Sequence, residues 1–276
     1  MELQITRTTP VYRSPQSVGI FLQWIVQSPT AAIDNVKIER SGSPEGPFEL
    51  VLDGIDSYYF YDDYRHVPVP DTDETRENLN FLSLSRLIYY KVTATIGSEE
   101  ISAVEPVGDQ LKPPQLFYRR KMQRDLFYGL KFSGVPFALI KRRHWGLRCE
   151  DCFDKLTKKV TNSKCNTCFG TGFKDGYYNP VGINGRISVE NVQTTITPQG
   201  KSDTNHKRLT VLTYPMIEAD DILIELNRNN RYLVKHVTTT ELKTVPVHQR
   251  ITLSELSRDS VEYRIAVNED TIPIIY

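Results

Sequence analysis

Cysteine is scarce in this chain: four in 276 residues, all between Cys149 and Cys168. With none elsewhere and no secretory signal, thiols rather than disulfides are expected. No apolar run approaches the roughly 18 residues that a membrane-spanning helix requires, so no membrane partner is expected. The opening stretch MELQITRTTPVYRS has no basic segment followed by an apolar one, so it does not read as a signal peptide. Catalytic signatures are missing too. There is no H-E-x-x-H, no G-x-S-x-G, no phosphate-loop G-x-x-x-x-G-K-[ST] and no dinucleotide G-x-G-x-x-G after a strand. The five histidines, His66, His144, His206, His236 and His248, are scattered. The expectation is therefore a protein that is not an enzyme and has no small-molecule substrate.

The composition, 39% hydrophobic and 25% charged, is that of a folded chain rather than a disordered one, with length for two or three small cores. Net charge is zero but unevenly spread. Residues 1–111 carry 8 Lys/Arg against 17 Asp/Glu, and residues 112–174 carry 15 against 4. A basic middle of this kind faces something anionic, nucleic acid or an acidic protein, or is a solvated face balanced by the acidic N-terminal part.

What is present most distinctly is the stretch from Arg148 to Phe173, RCEDCFDKLTKKVTNSKCNTCFGTGF. Cys149, Cys152, Cys165 and Cys168 form two C-x2-C pairs separated by twelve residues. Each pair is a tight turn that lets both sulfurs face one point, and two pairs set four thiolates around one tetrahedral Zn²⁺. A site closed by four protein ligands has no open coordination position, so the expected zinc is a structural staple rather than a catalyst. His144, just upstream, is a conceivable replacement ligand, although four thiols suffice. A calcium group at Asp71, Asp73 and Glu74 is conceivable but lacks the Gly and distal Glu of an EF-hand loop.

The remainder reads mainly as strands. Val18–Val26 places Ile20, Leu22 and Trp24 on one face. Further strands are expected at Asn35–Arg40, Phe48–Leu52, Tyr58–Asp63, Leu87–Thr95 and Ile101–Val104, a spacing that suits a β-sandwich. Asp62-Asp63 reads as a turn, and the polar His66–Asn80 segment is a candidate contact loop. Gln115–Leu130 reads as a helix with Leu116, Phe117, Met122, Leu126, Phe127 and Leu130 on its apolar face. Arg119, Arg120, Lys121 and Arg124 occupy the opposite side. Beyond residue 180, strands are expected at Arg186–Val189, Gln193–Thr197, Leu209–Tyr214, Ile222–Leu226, Tyr232–Val237, Arg250–Leu253 and Val261–Val267. Asn227-Arg-Asn-Asn is read as a hairpin turn, Pro198–His206 as a polar loop, and Thr271–Tyr276 as an apolar tail that docks.

Three resemblances attach to particular residues. Leu22-x-Trp24, Ile38-x-Arg40-Ser41, Tyr61-x-Asp63 and Tyr90-x-Val92-x-Ala94 resemble a fibronectin type III domain, which implies that Trp24 and Tyr90 are core. Cys165-x-x-Cys168-x-Gly170-x-Gly172 resembles one repeat of the zinc centre of DnaJ-type co-chaperones, although a His-Pro-Asp signature is absent. Asp221-Ile-Leu-Ile-Glu, Arg231-Tyr-Leu-Val-Lys-x-Val237, Pro246-Val-x-Gln249 and Asp259-x-x-x-Tyr263 resemble β-rich connector proteins from the neck of tailed bacteriophages.

The expected fold is mainly β: a fibronectin type III-like sandwich (1–108), a helical, basic linker (109–147), a four-cysteine zinc knuckle (148–180) and a β-barrel-like domain (181–276). The phage resemblance implies a head-to-tail connector in the virion, present in the host cytoplasm during assembly. It also implies a homo-oligomeric ring beside portal, adaptor or tail proteins and close to DNA. The alternative is a zinc-ribbon nucleic-acid-binding protein. Its phosphate contacts, or contacts to an acidic partner, would be Arg119, Arg120, Lys121, Arg124, Lys141, Arg142, Arg143, Lys158 and Lys159. Phe153, Phe169, Phe173, Tyr177 and Tyr178 would stack bases or pack around the metal. A third reading is a co-chaperone-like peptide binder.

Overall fold

The computed structural model describes residues 2–14, 17–27, 32–54, 57–62, 88–107, 113–189, 193–197, 200–204, 206–243, 245–267 and 272. The His66–Asn80 loop, the Asp71–Glu74 calcium group and all of the 271–276 tail except Ile272 lie outside them. The described chain is mainly β with one α-helix. It divides into two units, one of residues 1–122, 145–147 and 241–246, the other of 123–144, 148–240 and 247–276.

In the first unit, β1 (Glu2–Ser14), β2 (Ser17–Gln27) and β5 (Tyr59–Asp62) form one antiparallel sheet in the order β1-β2-β5. Strands β3 (Asn35–Ser41), β4 (Glu49–Asp53), β6 (Tyr89–Ile96) and β7 (Glu99–Pro106) form a second, in the order β4-β3-β6-β7. The two-residue period of a strand sends alternate side chains inward. Ile20, Leu22 and Trp24 from one sheet therefore meet Val36, Ile38, Tyr90, Val92 and Ala94 from the other in a single core, all at most 1% exposed. Trp145 packs on this core, its ring edge-on to Tyr58.

Asp62 does not lie in the expected turn. It ends β5 fully buried, where Arg40 Nη1 donates to its Oδ2 at 2.7 Å and Tyr90 Oη donates to the same oxygen at 2.6 Å. A charge without solvent persists only when paired and hydrogen-bonded, and here the pairing also links the two sheets.

Helix α1 (Pro113–Ser133) opens on a proline pair, which suits the first turn because those N–H groups have no helical partner. It stops at Gly134, whose N–H caps the Leu130 carbonyl at 2.8 Å. Its faces differ from expectation. Arg119, Gln123, Phe127 and Leu130 are buried, whereas Phe117 and Met122 are 67% and 45% exposed. Arg119 is inward because Nη2 donates to the Pro10 carbonyl at 2.7 Å. Pro10 lies on β1, the first strand of its sheet among the described residues.

The second unit is a closed six-stranded barrel. It joins β8 (Val135–Ile140), β11 (Val181–Val189), β14 (His206–Val211), β15 (Ile222–Glu225), β16 (Asn230–Leu242) and β17 (Val245–Glu255) in the order β11-β14-β17-β16-β15-β8. All six strands contribute to the interior, among them Phe137, Leu139, Ile183, Leu209, Leu223, Tyr232, Val234, Ile251 and Leu253. Each buried aliphatic or aromatic side chain there contributes about 1.5–3 kcal/mol. The expected 109–147 linker thus ends early, because 135–140 is a barrel strand. Phe137 and Leu139 point inward, while Ala138 and Ile140 join Ile222 and Ile224 in an outer cluster.

Two more expectations change. Gly200–Thr204 forms β13 of a hairpin with β12 (Gln193–Thr197), not a loop. Val261–Arg264 is a 3-10 turn, not a strand.

Candidate metal centre

The cysteine segment is an insert between β8 and β11, which are antiparallel neighbours. Its stem continues their pairing. Tyr178 N donates to the Lys141 carbonyl and Arg143 N to the Gly176 carbonyl, both at 2.9 Å, and Arg142 bridges Tyr177. Further out, Arg148 bridges Phe173, and Cys149 N donates to the Gly172 carbonyl at 3.0 Å.

The two C-x2-C turns are built alike. Each reads C-x2-C-F, CEDCF and CNTCF. In each, the phenylalanine N–H returns to the first cysteine's carbonyl: Phe153 to Cys149 at 3.1 Å and Phe169 to Cys165 at 2.9 Å. In each, one threonine gives both its N–H and its hydroxyl to the second cysteine's carbonyl. Thr161 does so to Cys152 at 2.8 and 2.9 Å, Thr171 to Cys168 at 3.0 and 2.8 Å. The shared phenylalanine is the sequence trace of this pseudo-symmetry, and it is visible without the glycines. After the first turn, β9 (Phe153–Asp154) and β10 (Lys159–Val160) form a small hairpin. After the second, Gly170 and Gly176 take positive φ of 79° and 62°. A Cβ on Gly176 would stand 2.3 Å from the Cys168 carbonyl oxygen, so only glycine fits this return.

The result is four buried sulfurs within 4.8 Å of one another. Cys149 Sγ lies 3.9 Å from Cys165 Sγ and Cys152 Sγ lies 3.2 Å from Cys168 Sγ. All four are free thiols, and these separations are far beyond the roughly 2.05 Å of a disulfide. A tetrahedral ion with metal–sulfur bonds of about 2.3 Å requires sulfurs about 3.8 Å apart, so the set fits such an ion. Burial raises the Cys149 and Cys152 thiols. At Cys165 the effect of burial is outweighed by the N–H groups of Cys168 and Thr167, which hold the thiol at about 7. An all-sulfur tetrahedron suits zinc or an iron–sulfur centre and leaves no position for substrate. Among the described residues no histidine joins the cluster, and His144 is exposed outside it.

The aromatic residues pack rather than present open faces. Arg148 stacks between Phe153 and Phe173, at 4.6 and 4.2 Å from the ring centroids. Arg143 lies 4.1 Å over Tyr178, and Phe169 and Tyr177 cover the outer cluster of the barrel. Neither Arg148 nor this stacking was anticipated; a basic residue beside two C-x2-C-F turns was the available signal.

The nine basic candidates separate. Arg119 is buried, and burial, with Arg120 beside it, lowers its guanidinium to about 10. Lys141 is buried as well and donates to the Met216 carbonyl, Glu218 and Asp221 at 2.6, 3.3 and 3.3 Å. Neither is a surface contact. Arg142 pairs with Asp220 at 3.2 Å. Lys121, Arg124, Lys158 and Lys159 are exposed, and Arg120 and Arg143 half-buried. The basic set is therefore divided between the helix, the stem and the hairpin. Residues 148–177 carry six Lys/Arg against four Asp/Glu, a balance that a divalent ion held by four thiolates brings to zero.

No family model matches this chain, and no curated protein matches it in sequence.

Proposed function

We propose that this protein is a non-enzymatic structural component of a bacteriophage virion, a head-to-tail connector or neck protein that assembles with identical copies into a ring. The metal in this reading is zinc, held by Cys149, Cys152, Cys165 and Cys168 as a staple. The observation that carries it is the closed, buried four-sulfur cluster, mounted on a barrel whose interior is filled by side chains from all six strands. Both are scaffold features, and a segment too short for its own core gains its folding energy from the metal. The seven strands in two sheets support the fibronectin type III resemblance, and the barrel suits the connector resemblance. The nucleic-acid reading draws less support, because Arg119 and Lys141 are buried and the metal-loaded knuckle is balanced in charge.

Metal analysis combined with solution mass tests the proposal. One zinc per chain and a closed oligomer, or a monomer that polymerises, is the expected result. A monomer that retains DNA in a salt-dependent manner, or turnover of a small molecule at the metal, sinks it.

A further inference from the structure

One face of α1 has no cover within the described chain. Phe132 is 84% exposed, Phe117 67% and Tyr118 64%, with Met122 and Tyr128 each at 45%. The 3.6-residue period sets Phe117, Tyr128 and Phe132 along one stripe, with Tyr118 and Met122 beside it. At about 200 Å² for a large aromatic side chain, these five present roughly 600 Å² of mostly apolar surface. That is at the upper limit for the largest patch on an ordinary monomer, about 300–600 Å². It is also most of the ~800 Å² that each partner contributes to a standard interface.

Charge narrows the choice of occupant. The helix carries five Lys/Arg and one acid, Asp125. Two copies of α1 face to face would set like charges together, so an isologous helix pair is disfavoured. The complementary surface has to be acidic, and the chain has one: residues 1–111 bear nine more acidic than basic side chains. Within the described part, β7 (EEISAVEP) has no basic residue. Glu99, Glu100 and Glu105 are exposed along it, with Val104 38% exposed among them. β7 is the last strand of its sheet among the described residues, and Thr8 Oγ1 of β1 donates to its Pro106 carbonyl at 2.7 Å. Its exposed glutamate side chains, rather than a free backbone edge, are therefore what it offers a partner.

We infer that the exposed face of α1 is the contact through which copies of this chain join, seating its aromatic stripe on the acidic strand β7 of a second copy. Lys121 and Arg124 then meet the β7 glutamates. The contact is heterologous, so it repeats from copy to copy and closes into a ring or runs on as a filament. This rests on the proposed ring and names the surface that builds it.

Sedimentation velocity on the full, zinc-loaded chain at about 50 mM and about 500 mM salt tests it, since a charged contact weakens over that range. Phe117→Glu with Phe132→Glu is expected to weaken self-association by at least ~100-fold. Lys121→Glu with Arg124→Glu, or Glu99→Lys with Glu100→Lys, is expected to weaken it about tenfold. Combining the two charge reversals is expected to recover most of the loss, which a merely misfolded variant would not do. Association within about threefold of wild type in the Phe117/Phe132 variant overturns the inference while leaving the ring intact. Absence of rescue in the combined variant overturns the assignment to β7. A wild-type chain that stays monomeric at both salts removes the ring itself. Retention of DNA or of anionic vesicles by the helix face, without self-association, assigns that face to another occupant and overturns the inference.

Discussion

Lys141 and Asp221, 80 residues apart, meet with Nζ 3.3 Å from Oδ2 where the stem leaves the barrel, and their side chains are 2% and 0% exposed. Asp221 also accepts the Arg142 N–H at 2.9 Å and the Glu218 N–H at 2.9 Å. The pair thus holds the base of the insert against the loop before β15. Replacing Lys141 by Met leaves a buried carboxylate without its cation, and a loss of about 3–5 kcal/mol is expected in denaturant unfolding. Adding Asp221→Asn is expected to return part of it, because the remaining amide no longer requires a counter-charge.

Removing the metal is expected to loosen the insert and spare the barrel. The barrel closes on its own six strands, whereas the insert depends on the sulfur cluster. Treatment with a chelator at mildly acid pH, where protons compete for the thiolates, should raise hydrogen exchange across 149–176. The strands β14–β17 should retain their protection. Loss of protection throughout would show that the barrel requires the metal.

Gly176→Ala provides a steric test of the same site. Its positive φ and the 2.3 Å approach to the Cys168 carbonyl oxygen forbid a methyl group without movement. A destabilisation of about 1–3 kcal/mol is expected, together with weaker metal retention measured by competition with a chromogenic chelator. Gly129, around which there is open space, is the control.

Some of this was legible in the sequence and some was not. The cysteine pairs announced themselves by spacing, because a four-ligand site is a local pattern. The same holds for β2, where Ile20, Leu22 and Trp24 alternate with residues of the other face. Strand β8 reads as linker in the sequence because a six-residue apolar run next to a helix has no period of its own, and only its barrel neighbours reveal it. The α1 faces are not legible in the sequence because Arg119 looks like a surface residue until its partner, the Pro10 carbonyl, is placed beside it. Asp62 looked like a turn for the same reason: its partners Arg40 and Tyr90 come from the opposite sheet.

That cross-sheet contact is itself measurable. Arg40→Ala removes the cation from a fully buried carboxylate, and about 3–5 kcal/mol of stability is expected to go with it. Tyr90→Phe removes one hydrogen bond and is expected to cost about 1–3 kcal/mol. A double-mutant cycle should show coupling, since both donors serve the same Oδ2.

His248 is expected to make stability depend on pH below neutrality. Burial, with Arg250 nearby, lowers its imidazole from the ordinary 6.5, so the folded state takes up a proton less readily than the unfolded chain. Its contribution is fully present above pH 6.5 and is lost as pH falls from there through the lowered value. Thermal unfolding between pH 7.5 and pH 5 should show the decline, and His248→Gln should flatten it. An identical slope in the variant would assign the dependence to other groups.

The metal-bearing segment leaves and re-enters the barrel through one pair of adjacent antiparallel strands. Geometrically it is the loop of a hairpin, enlarged. A short turn between residues 141 and 178 would close the same ladder, because Tyr178 N already meets the Lys141 carbonyl. The cysteine region is therefore a cassette. Its length can change without breaking the β8–β11 ladder, whereas cutting it back to the stem would strip Phe169 and Tyr177 from the outer cluster of the barrel.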